Sequence, residues 1–120
     1  MKLVSSLAVA LILSVLLGAG ARAAEEEALG TWDLIAQTPN GPMPSVLTLT
    51  RAEGKLKAEV ELGGAKRDVS DETLEGDVLR LKVQYEGVTY ALEGKIAKKA
   101  IEGTWEGGGN SGTFQGKKRG

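Results

Sequence analysis

From Gly30 to the end of the chain, apolar and polar residues alternate in short runs, and each run stops at a glycine or a pair of turn-forming residues. Residues 55–62 show this most cleanly, with Leu56, Ala58, Val60 and Leu62 set against Lys57, Glu59 and Glu61. A period of two puts one side of an extended chain against a core and the other in water. No window beyond Leu29 keeps the three-and-four spacing of an amphipathic helix. The fold class expected is therefore all-β.

Eight strands follow from this pattern, at 30–37, 45–51, 55–62, 65–73, 78–85, 88–96, 101–106 and 112–119. The fourth is the poorest, because Lys66, Arg67, Asp68, Asp71 and Glu72 leave little but Val69 to bury, and it reads as an edge or distorted strand. Two-residue turns are expected at Glu53-Gly54, Gly63-Gly64, Gly76-Asp77, Glu86-Gly87 and Lys98-Lys99. The prolines Pro39, Pro42 and Pro44 fall in a segment read as a loop running through Asn40, Gly41 and Met43, and residues 107–111 read as a flexible connector. Short turns between neighbours favour antiparallel, up-and-down order.

Gly-Thr-aromatic occurs three times, at Gly30-Thr31-Trp32, Gly103-Thr104-Trp105 and Gly112-Thr113-Phe114. A glycine, a β-branched residue and a large ring suit a strand start that turns its ring inward. Finding this at both ends predicts that the last strands return beside the first. An eight-stranded antiparallel barrel is the expected architecture, with a β-sandwich as the alternative.

Ahead of the strands, Lys2, the apolar run 3–17 and Ala21-Arg22-Ala23 form the pattern of a cleaved signal peptide over residues 1–23. This implies export to the periplasm or the outside of the cell. Residues 24–29, with Glu25-Glu26-Glu27, read as a flexible acidic leader, and 30–120 as a single barrel domain. No membrane span is expected in the mature chain. With Lys2 and Arg22 removed, the formal charge of −1 becomes −3, which gives nucleic acid no electrostatic handle. The chain has no cysteine and no histidine. Disulfides are therefore impossible, and the commonest metal ligand and general base are missing. Asp68, Asp71 and Glu72 lack the spacing of a calcium loop, so no metal, cofactor or catalytic set is expected.

Gly30-Thr31-Trp32 together with Arg119 resembles the lipocalins, in which a first-strand tryptophan is covered by an arginine from the last strand; Lys117 and Lys118 are alternative covering cations. The same opening is similar to the avidin family. The stretch from Gly30 through the proline segment to Leu47-Thr48-Leu49 also resembles a small secreted β domain found alone or appended to exported bacterial hydrolases. These resemblances imply a barrel, closed at one end by Trp32 and Arg119.

Three function classes remain. The first is an exported, non-catalytic accessory or structural protein whose surface, through Pro39, Asn40, Gly41, Pro42, Met43 and Pro44, meets a protein or envelope component. The alternative is a barrel holding a small apolar molecule near Tyr85, Tyr90 and Trp105, rings whose polar tips orient ligands in small pockets. A carboxylate-dependent enzyme ranks last. A connected cavity of at least about 300 Å³ separates the second class from the first.

Overall fold

The structure, a computed structural model, describes residues 25–120. The signal-peptide expectation for 1–23 lies outside the described residues. Nine strands are present among them: β1 (Gly30–Thr38), β2 (Gly41–Ala52), β3 (Lys55–Leu62), β4 (Ala65–Arg67), β5 (Val69–Glu75), β6 (Val78–Tyr85), β7 (Val88–Ala97), β8 (Ala100–Gly107) and β9 (Asn110–Lys118). All pair antiparallel in one sheet of order β4-β3-β2-β1-β9-β8-β7-β6-β5. A single sheet curled on itself replaces the sandwich alternative.

The ends of the chain meet as the Gly-Thr-aromatic repeats predict. Trp32 pairs with Lys118 and Ala36 with Phe114, so β1 is flanked by the second strand and the last. All three rings point inward and are buried, Trp32 completely. Around them Leu34, Leu47, Leu49, Val60, Leu79, Leu81, Val83, Ile96 and Ile101 fill the interior. Neighbours one residue away face solvent, as Ile35 does beside Leu34.

The ninth strand comes from the expected fourth, which is divided. β4 pairs with β3 while β5 pairs with β6, so the chain passes at Asp68 from one edge of the sheet to the other. That passage nearly closes the barrel. The Asp68 carbonyl accepts from the Gln84 amide at 2.9 Å, and Asp71, at φ 53°, sits in a bulge between Ser70 and Thr73. Across the remaining seam the Ala58 amide donates to the Glu72 carboxylate at 3.4 Å. The charge-crowded segment thus supplies both edges of the sheet, divided at Asp68 and bulged at Asp71, in keeping with the edge or distorted strand expected.

Two segments read as loops are strand. The first turn is only Pro39-Asn40, and Gly41–Pro44 belong to β2, paired with residues 35–38. Pro42 and Pro44 fit because β3 stops pairing at Ser45↔Leu62, leaving that flank of β2 without a neighbour to need their missing N–H groups. Gly107 likewise ends β8, Asn110 and Ser111 start β9, and the connector shrinks to Gly108-Gly109, whose φ values of 61° and 79° suit a tight primed turn. The turns expected at 53–54, 63–64, 76–77, 86–87 and 98–99 all lie between strands.

The acidic segment expected as a loose leader is a helical turn over 25–28 seated in one barrel end. Ala28 is fully buried, and its carbonyl accepts from the Trp32 indole at 2.8 Å. Glu25 pairs with Arg51, the Glu27 carboxylate accepts from the Lys98 amide at 3.3 Å, and the Glu27 carbonyl accepts from Lys118 Nζ at 3.0 Å. That end is plugged.

Candidate functional site: an aromatic cup at the open barrel end

Opposite the plug most inward positions grow smaller or polar, with Ala36 and Thr38 on β1 and Ser45 on β2 beside Met43. Small side chains on one wall leave space that the other walls do not fill. The result is a cup of about 490 Å³, open at its mouth. Its floor is packed, with a void of only about 20 Å³ between Leu34, Leu47, Leu81 and Phe114 below it. A volume of this order falls within the range of small-ligand pockets.

Tyr85, Tyr90 and Trp105 all line this cup, joined by Val60, Leu62, Val83 and Leu92. Tyr90 meets Trp105 edge to face, centroids 5.8 Å apart and planes at 66°, so the two rings brace one wall. The Trp105 indole N–H is committed to the Gln37 carbonyl at 3.1 Å, across Gly112. It therefore supplies an apolar face rather than a donor. Among the described residues neither tyrosine hydroxyl hydrogen-bonds to protein, which leaves both phenol tips free to orient a guest.

Of the segment expected to meet a partner, Pro39, Asn40 and Met43 line the cup, so its turn forms part of the mouth. Gly41, Pro42 and Pro44 do not join them; both prolines are exposed on the outer face of β2. The outward turn of the prolines follows from their alternation with Gly41, Met43 and Ser45, a signal that a reading based on proline alone overlooks.

Arg119 does not cover Trp32. Its backbone continues the β1–β9 ladder to the Thr31 carbonyl at 2.8 Å, but its guanidinium grips Asp33 on the outer face, with Nη2 to Oδ1 at 2.7 Å and Nε to Oδ2 at 2.9 Å. These hydrogen bonds, aided by charge and opposed by slight desolvation, hold the Asp33 carboxyl below its ordinary value of 3.8 and push Arg119 up. Trp32 is sealed instead by Ala28 and by its cross-strand partner Lys118, whose ammonium reaches over the end to Glu27. The alternation places Trp32 and Lys118 on the inner face, and Asp33 and Arg119 outside it.

A residue not singled out in the sequence braces Tyr85 beside the mouth. Arg67 pairs with inward-facing Val60, so it too faces in, and its guanidinium lies 4.7 Å from the centroid of the Tyr85 ring. Its Nε donates to the Leu62 carbonyl at 2.9 Å. Its place inside a charged run hid it. The acidic trio is dispersed: Asp71 pairs with Lys82 at 3.3 Å, Glu72 serves the seam, and Asp68 acts through its backbone. Among the described residues no three potential metal ligands converge, and no helix is long and apolar enough to cross a membrane.

A larger hollow, about 710 Å³, lies on the sheet's outer face. Its walls include Arg80, ion-paired with Glu93 at 2.6 Å, and Lys82, paired with Asp71. A wet groove of mutually satisfied charges offers a guest less than the apolar cup does.

Solved structures of the same shape exist at low sequence identity. A redesigned β-barrel superposes with a TM-score of 0.62 at 12% identity, covering 81% of this chain and 96% of its own. The redesigned barrel mFAP1, solved bound to DFHBI, gives 0.55 at 10% identity, covering 80% and 98%. A point mutant of the fluorescent protein UnaG gives 0.50 at 12% identity, covering 79% and 98%. The chain shares the small antiparallel β-barrel fold of these structures. No protein-family description matches its sequence, and no curated protein matches it significantly.

Proposed function

We propose that this protein is a non-catalytic barrel that holds a small, largely apolar molecule in the cup between Tyr85, Tyr90 and Trp105. The observation that carries this reading is the cup itself, about 490 Å³ with three rings converging on it. The surface-acting reading requires inward side chains that fill the barrel. The volume at the mouth exceeds the 300 Å³ or so that divides the classes, which moves ligand binding ahead. Binding of DFHBI by mFAP1, a barrel of similar shape, supports it. The absence of histidine and cysteine from the chain, and Glu86 as the carboxylate lining the cup, argue for holding a guest rather than transforming it. Export through cleavage after Ala23 remains part of the reading.

Titration with N-phenyl-1-naphthylamine, a neutral aromatic dye that brightens in apolar surroundings, tests it directly. Wild type should show saturable enhancement, and Tyr90→Leu and Tyr85→Leu should each weaken it several-fold while the fold persists by circular dichroism. Wild type without saturable binding, or variants that bind as wild type does, would rule the cup out.

A further inference from the structure

Four arginines lie among the described residues, and three of them meet carboxylates: Arg51 with Glu25, Arg80 with Glu93, and Arg119 with Asp33. Arg67 has no carboxylate partner among the described residues. It is half-buried on the inward parity, outside the cup's own lining but stacked on Tyr85, which does line it, and tethered through Nε to the Leu62 carbonyl. That tether fixes the guanidinium plane and leaves its terminal N–H groups uncommitted to protein. A tethered guanidinium with spare donors is preorganised for a planar anion. The cup beside it is apolar and aromatic, and the Arg67 Nη2 and the Tyr85 hydroxyl both approach Gly63. Charge at the rim and apolar surface beneath match a molecule that carries both.

We infer that the ligand is an amphipathic anion: an aromatic or aliphatic body seated in the cup, with a carboxylate or sulfonate head held at the mouth by Arg67 and the Tyr85 hydroxyl. This rests on the cup being a binding site and names the class of molecule it takes. Glu86 is the opposing charge at the rim, exposed on the β6–β7 turn, where water screens it. Arg67 is half-buried where Glu86 is exposed, so its charge is screened less and sets the preference.

Two dyes with one aromatic body separate the claims: 8-anilinonaphthalene-1-sulfonate, an anion, and neutral N-phenyl-1-naphthylamine. The full mature chain should bind the anion about tenfold more tightly, the factor carried by one charge-assisted contact. Arg67→Gln should erase that preference by weakening the anion far more than the neutral dye, Arg67→Lys should retain part of it, and Glu86→Gln should increase it. Thermal melts of each variant establish that the barrel is folded. Equal affinity of wild type for both dyes, or an Arg67→Gln variant that weakens both alike, overturns the anion assignment while leaving the cup intact. Binding of neither dye removes the cup and the assignment together.

Discussion

Asp33 and Arg119 form a bidentate pair on the outer face, a contact that is tight in geometry yet open to water on every side. Because the pair depresses the folded-state pKa of Asp33, its contribution to stability is present above the ordinary value of 3.8 and is lost as pH falls through the lower folded value. Comparing urea midpoints of wild type and Asp33→Asn should therefore reveal a small advantage for wild type at neutral pH that fades in acid. An advantage that persists unchanged into strong acid would show that the pair is not its source. The same residues mark the limit of sequence reading at this scale. Tyr85, Tyr90 and Trp105 could be grouped from the sequence as rings whose polar tips suit a small pocket, and all three line the cup. Arg67 could not be added to them, because its inward parity depends on pairing with Val60, and nothing local distinguishes it from the charges around it.

Strand β7 carries Gly94 at an inward position, and a β-carbon there would sit 2.8 Å from the Phe114 ring and 2.9 Å from Ile101. The glycine is thus the seat for the last of the three repeated rings. Gly94→Ala should cost about 1–3 kcal/mol by overpacking, measured by chemical denaturation, and a second change, Phe114→Leu, should recover part of the loss. If the single variant is as stable as wild type, the ring is not seated as described. Most elements were readable because alternation and turn chemistry agreed: β3 and β6 have the bounds that their pattern implies. The misread segments are those where composition and pairing conflict. Proline and glycine signal loops in isolation, yet β2 and β8 extend through such residues because their neighbours end or turn tightly there. The split at Asp68 depends on which edge each half can reach, which only the closed sheet determines.

At the scale of the molecule the barrel has a sealed end and an open one, and the two should be separable. A chain beginning at Leu29 lacks the Ala28 carbonyl that satisfies the Trp32 indole and the lid that excludes water from it. Its unfolding free energy should fall by about 1–3 kcal/mol, the cost of leaving a buried donor unmet. Dye binding at the far end should survive in the molecules that remain folded. Loss of dye binding with no loss of stability would invert these roles. The repeats at the two ends revealed that first and last strands join; the plug was invisible because three glutamates next to the strands carry no signal of the tryptophan they cover.

The joining of β1 to β9 also governs the order of events in synthesis. On a ribosome, Trp32 is made long before Lys118, so β1 has one flank bare until β9 emerges. A polypeptide halted before β9 therefore exposes a hydrogen-bonding edge available to any passing chain, and only the arrival of β9 hides it.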